Sequence, residues 1–185
     1  PVHTAAQDFQ MNRLTFSADG RFLACSERWK PVVQLWDVEN QKFVQSFPHM
    51  EESGANDKNA KAVTADAPWM AVGSRDGHVR ICRLPGGQIE NEITASEQQI
   101  LAVAFSPDGR RIATCAGFTD SRVRVWEWDV PGGREIAVLE GHGAFVSGLA
   151  FLDDGKTLAT SSGDQSIRIW DISTRRELAV LRGHE

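Results

Sequence analysis

One short pattern recurs four times in a single phase along this chain. Alternating apolar and polar residues run up to Trp36 in VQLWDV, to Cys82 in HVRICRL, to Trp126 in RVRVWEW and to Trp170 in SIRIWDI, at intervals of 46, 44 and 44 residues. Eleven residues after three of these positions, and thirteen after Trp126, an apolar residue closes the next run: Phe47, Ile93, Leu139 and Leu181. A period of this length marks a repeat architecture, in which each copy is one supersecondary unit that cannot bury its apolar surface alone. Four copies fill the 185 residues.

Inside each copy the apolar period is two over four to six positions, between Gly, Asp and Pro, which predicts short strands rather than helices. The first strand carries Met11, Leu14 and Phe16, or Ile100, Val103 and Phe105, or Val146, Leu149 and Phe151. A tight turn follows in SADG (17–20), SPDG (106–109) and LDDG (152–155), where Asp accepts from its own backbone and Gly supplies a positive φ. The second strand is read over 22–26, 111–115 and 157–161, and the third is the run ending at the Trp position. The fourth covers about 42–47, 88–93, 134–139 and 176–181. Each copy is therefore expected to be a four-stranded antiparallel meander, with units over about 8–48, 58–94, 98–140 and 143–182, a polar loop at 49–57 and the opening of a further unit at 183–185. Val123 and Val125 face one side of the third strand and Trp126 the other, so both faces of the sheet are apolar. Such sheets must be sandwiched. Stacking them radially covers both faces of each and shortens exposed edges, which predicts an all-β class, the β-propeller.

Composition narrows the function. No apolar run approaches the roughly 20 residues of a membrane span. Twenty Lys and Arg against 25 Asp and Glu, with no basic cluster, give no footprint for a nucleic-acid backbone. Cys25, Cys82 and Cys115 are few, odd in number and far apart, which argues against a disulfide framework and a thiolate metal site and favours a reducing, cytoplasmic setting. The five His form no metal-ligand pair, and no phosphate-binding glycine loop is present. No cofactor, metal site or catalytic residue is expected.

Trp36-Asp37 and Trp170-Asp171, with Trp126-Glu127 close to them, and Gly141-His142 and Gly183-His184 carry a resemblance to the WD-repeat β-propeller family. Asp76, Asp120 and Asp164 fall six residues ahead of the Trp position, with Lys30 as the exception. The resemblance implies a hydrogen-bonded network inside a blade among His, a Ser or Thr of the second strand, the turn Asp and the Trp. The fourth copy alone holds a full set: His142, Thr160 or Ser162, Asp164 and Trp170. The third keeps Asp120 and Trp126 but has Ser96 in the His slot, and the first keeps Trp36 beside Gln7 and Lys30. A His, Asp and Ser/Thr set raises the question of a nucleophilic triad. Repetition accounts for each member, so the reading is structural.

The second copy departs most, with Lys61 in an apolar slot, Ala67-Pro68 in place of the Gly turn and Cys82 in place of Trp. It is expected to be the weakest blade, preceded by the long polar stretch His49 to Lys61. Four blades would each turn about 90°, and a shallower arc would leave two apolar faces uncovered. Three outcomes are open: continuation into a larger ring, two copies forming an eight-bladed homodimer, or tight closure of four. The expected function is a non-catalytic scaffold binding protein or peptide through Arg28, Trp29, Arg75, Phe118, Phe145 and Gln165, which lie in connecting loops outside the repeat pattern. The alternatives are a sensory or regulatory domain of a multidomain, bacterial-type signalling enzyme and an engineered fragment, the latter suggested by a start at Pro1 in place of Met.

Overall fold

The structure, a computed structural model, describes residues 11–17, 20–27, 32–48, 62–66, 68–152 and 154–183. Arg28, Trp29, Lys30 and the stretch from His49 to Lys61 lie outside the described residues. Blade 1 consists of β1 (Met11–Phe16), β2 (Phe22–Glu27), β3 (Val32–Asp37) and β4 (Lys42–Pro48). Blade 2 has β5 (Ala62–Asp66), β6 (Trp69–Gly73), β7 (His78–Arg83) and β8 (Gln88–Thr94). Blade 3 has β9 (Ile100–Phe105), β10 (Arg111–Ala116), β11 (Val123–Glu127) and β12 (Arg134–Leu139). Blade 4 has β13 (Val146–Phe151), β14 (Thr157–Ser162), β15 (Ser166–Asp171) and β16 (Arg176–Arg182). Each is a four-stranded antiparallel meander in sequence order, and no helix occurs among the described residues.

The turns form as their residues dictate. Gly20, Gly109 and Gly155 donate back to Ser17, Ser106 and Leu152 carbonyls at 2.8–2.9 Å with φ of 62–70°, a left-handed backbone that glycine adopts without penalty. Asp108 and Asp154 accept the amides two residues on, from Arg110 and Lys156. Two irregularities recur. An extra residue interrupts the register between Met11 and Arg13, between Ile100 and Ala102, and between Val146 and Gly148, so residues three apart at the start of these strands share one face. A second bulge sits beside the Trp position in every blade, where the fourth strand inserts Val44, Glu90, Ile136 or Leu178.

Blades stack in chain order. β1 lies against β5, β5 against β9 and β9 against β13, while no comparable contact brings β13 back to β1 among the described residues. Three apolar seams result. Phe22, Ala24, Val33 and Leu35 of blade 1 meet Met70, Val72, Cys82 and Leu84. Ala71, Val79, Ile81 and Ile93 of blade 2 meet Ile100, Val103, Phe105, Ile112 and Trp126. Ala113, Val123, Val125, Ala137 and Leu139 of blade 3 meet Val146, Leu158 and Trp170. Each blade thus offers its aliphatic face forward and its Trp face backward. In blade 2 the position of the indole is taken by Cys82, buried with Met70 and Leu84, and Met is suited to filling such a gap.

The end blades break this pattern. Trp170 is 2% exposed, whereas Trp36, in the same place on blade 1, is 38% exposed, with Leu14, Phe16 and Phe43 exposed around it. At the other end Leu181 is 53% exposed, although its counterparts Ile93 and Leu139 are buried. Trp170→Ala is expected to cost about 3–5 kcal/mol, as aromatic truncation in a core does. Trp36→Ala in the isolated chain is expected to cost less than about half of that, both read from urea unfolding midpoints.

Candidate functional site

Alternate turns of a meander emerge at opposite edges of a blade. The turns joining second to third strands, and the joints to the next blade, share one edge. The turns joining first to second and third to fourth strands share the other. The first edge is organised by aspartates. Asp76, Asp120 and Asp164 each accept the backbone amide two residues on, from His78, Arg122 and Ser166, at 3.0–3.1 Å. Four residues after each comes an arginine on the third strand: Arg80 at 3.2 Å, Arg124 at 3.1 Å and Arg168 at 3.9 Å. Each arginine also reaches a glutamate of the fourth strand: Glu92, Glu135 and Glu177. An Asp-Arg-Glu chain therefore crosses blades 2, 3 and 4. Burial alone would raise the Asp76 carboxyl, but Ser74, the His78 amide and Arg80 hold it down at about 2.

Blade 4 adds a buried relay. Trp170 Nε1 donates to Thr160 Oγ1 at 2.9 Å, and Thr160 Oγ1 lies 2.7 Å from His142 Nε2. His142 Nδ1 lies 2.9 Å from Asp164 Oδ2, which also accepts from the Gly143 amide. A carboxylate can only accept, so Nδ1 carries a proton; with one proton on the ring, Nε2 accepts from the Thr160 hydroxyl. Thr160 takes the second-strand place. Ser162 is outside the relay, donating to the Ala144 carbonyl and accepting from the Asp164 amide, which corrects the expectation that either could serve. Ser166 is a member that the sequence reading missed, its hydroxyl donating to Asp164 Oδ1 at 2.6 Å.

Blade 3 retains half of this arrangement. Trp126 Nε1 donates to Thr114 Oγ1 at 2.9 Å, while Asp120 is held by Arg122 and Arg124, so Asp120 and Trp126 belong to separate groups. Trp36 has no hydrogen-bond partner among the described residues and packs edge to face on Phe43 at 5.3 Å. The Asp that follows Trp has its own task. Asp37 accepts from the Asn40 amide and Asp171 from the Thr174 amide, each closing the turn to the fourth strand.

Two candidate contact residues come together on the first edge. Phe118, 62% exposed, meets half-buried Phe145 edge to face across the seam of blades 3 and 4, with ring centroids 5.2 Å apart. A Cβ at Gly163 would stand 2.7 Å from Phe145 Cε1, so glycine is what lets the ring lie on the 163–165 turn. Gln165, at φ 65°, occupies the turn position that Gly77 fills in blade 2 and is exposed beside this pair's turn. Arg75 is exposed on the blade 2 turn, on a different blade from the aromatic pair. Among the described residues no three His, Cys, Asp or Glu groups converge as a metal site would need.

The WD domain, G-beta repeat family matches at residues 87–127 and 133–171, the second stretch ending on Trp170-Asp171. The chain carries two repeats of this family. Each matched WD repeat runs from the last strand of one blade through the third strand of the next, so sequence repeat and blade are one strand out of phase. The chain is 32% identical over 147 residues to WD repeat-containing protein SL1-17 of Schistosoma mansoni, covering 80% of this chain and 46% of that protein. It is 29% identical over 149 residues to an uncharacterized WD repeat-containing protein, sll1491, of Synechocystis sp., covering 80% and 40%. Apoptotic protease-activating factor 1 of Rattus norvegicus is 28% identical over 159 residues, covering 86% and 12%. The chain thus spans less than half the length of each of these relatives.

Burial would raise the Asp164 carboxyl, but Ser166, the Gly143 amide and His142 together hold it well below the usual carboxylate range. A carboxyl lower in the folded than in the unfolded state contributes stability above the unfolded value near about 4, lost as pH falls through the folded value. Asp164→Asn is therefore expected to unfold about 1–3 kcal/mol more easily at pH 7, with the gap to the parent narrowing as pH drops below about 4. Arg124 and Arg122 both hold Asp120, but their side chains are 14% and 48% exposed. Arg124→Ala is expected to cost about 2–4 kcal/mol in urea unfolding, and Arg122→Ala distinctly less, because water screens its exposed guanidinium.

Proposed function

We propose that this WD-repeat chain is a non-catalytic protein–protein interaction scaffold, an arc of blades that joins further blades into a larger ring. Those blades come from a continuing polypeptide or from a second copy. The observation that carries the reading is the inequality of one repeat position. Trp126 and Trp170 are buried against the blade before them, and Trp36 is exposed with Leu14, Phe16 and Phe43 around it. The forward face of blade 4 offers exposed Leu178 and Leu181, and half-buried Ile167 and Ile169, of the aliphatic kind that covers Trp elsewhere in the arc. A head-to-tail twofold arrangement would satisfy both faces with contacts like those in the three seams and would give eight blades.

Partner protein or peptide binds at the first edge, with Phe118 and Phe145 as aromatic anchors and Gln165 and Arg75 as flanking contacts. The His142, Asp164 and Thr160 set supports the blade and performs no chemistry. Thr160 is 1% exposed and hydrogen-bonded at its oxygen, so a substrate carbonyl would not reach it. A cytoplasmic setting suits three buried cysteines that form no disulfide with one another, with burial pushing the Cys82 thiol up to about 11. A second reading, a regulatory domain within a longer multidomain protein, is favoured by the likeness to apoptotic protease-activating factor 1, of which this chain matches 12%.

Sedimentation equilibrium tests the ring. The 20.4 kDa chain is expected to run near about 41 kDa at tens of micromolar, and Trp36→Glu to return it to 20.4 kDa. A folded parent chain that stays at 20.4 kDa at all concentrations removes the second copy from the proposal.

A further inference from the structure

The opposite edge of the arc carries a recess unlike anything on the first. At the seam of blades 2 and 3, Trp69 and Trp128 meet edge to face with centroids 4.9 Å apart. Trp128 is buried, its Nε1 donating to the Gly109 carbonyl at 2.7 Å, while Trp69 is only half-buried. The Trp69 indole N–H has no acceptor among the described residues and is not closed off from solvent. Asn91 of β8 pins the opposing turn, donating to the Trp128 and Val130 carbonyls and accepting from the Gly132 amide. The recess between them, about 390 Å³, is lined by Trp69, Trp128, Asn91, Glu90 and Asp129 with Pro131 and Gly132. A cavity of about 470 Å³ shares Trp69, Trp128 and Asp129 with it and continues toward the β9–β10 turn.

The charges select the occupant. Every ionisable group lining the recess is acidic. Glu90 is answered by Arg83 at 3.1 Å, but exposed Asp129 makes no ion pair or hydrogen bond among the described residues. The recess already attracts a cation of its own, since the Arg83 guanidinium lies 5.1 Å from the Trp69 ring centroid. We propose that this recess is a second binding site, taking a lysine or arginine side chain of a peptide segment. The alkyl stem lies along the tryptophans, the charged head reaches Asp129, and a peptide carbonyl accepts from the Trp69 indole N–H. Arg83 acts as an internal competitor for the same ring. The site is independent of ring closure and of the Phe118–Phe145 edge, so it stands or falls separately from them.

The test is a titration of the ¹⁵N-labelled full chain by NMR, using Nα-acetyl-lysine methylamide and its uncharged isostere Nα-acetyl-norleucine methylamide as probes. The indole signal of Trp69 is assigned by Trp69→Phe. The lysine probe is expected to shift the Trp69 indole and Asp129 amide saturably, with the norleucine probe at least about fivefold weaker. Asp129→Asn, which removes no internal contact, is expected to weaken the lysine probe by about fivefold at an unchanged thermal midpoint, and Arg83→Gln to tighten it. Equal shifts from both probes, no saturable shift, or an Asp129→Asn titration matching the parent would overturn the proposal.

Discussion

Each blade of this chain is a sheet with two apolar faces, and neither face can be left to water at small cost. A single four-stranded sheet has no second layer of its own, so its neighbours supply the core. The consequence is visible in how the buried residues group. They form three clusters, each astride a seam, and none is contained within one blade. Stability in such a stack is a sum of seams, each set by the two blades that make it. A few polar contacts fix the blades in register across these seams. Cys115 Sγ donates to the Val146 carbonyl at 3.2 Å, and Arg175 Nη2 donates to the Ile136 carbonyl at 3.2 Å.

Polar groups inside the blades follow a gradient along the chain. Blade 4 has a continuous relay from Trp170 to Asp164, blade 3 has its Trp-to-Thr half, and blade 2, with Cys82, has neither. What all three share is the turn aspartate, its arginine and the glutamate beyond. That chain ties the second-to-third-strand turn to the outermost strand, so this edge of the blade is braced from outside even where the inner relay is missing. The arginines supply donors where histidine does not, with Arg80 Nε and Arg168 Nε left buried without a hydrogen bond among the described residues.

The period, the meander and the direction of the blade faces were legible because they rest on alternation in one phase, which the chain repeats from Trp36 to Trp170. The bulges were half-legible. Met11 to Leu14 and Val146 to Leu149 are three apart, a spacing that an unbroken strand cannot place on one face. Arg80, Arg124 and Arg168 recur in phase, two residues before the Trp position, yet charged residues on strands read as solvent-facing and their burial was not foreseen. Trp69 and Trp128 were missed for the opposite reason. They fall outside the repeat phase, and only the stacking of blade 2 on blade 3 brings two positions 59 residues apart in the chain into ring contact.

The one-strand offset between sequence repeat and blade has a consequence for how such a chain can change length. A unit of about 44 residues, duplicated or lost in frame, begins on a fourth strand and ends on a third, so the junction always falls inside a blade, never at a seam. The recombined blade still has four strands and still presents an aliphatic front and an indole back. Ring size can therefore drift by whole units while every surviving interface keeps its old chemistry, leaving only the curvature to be readjusted.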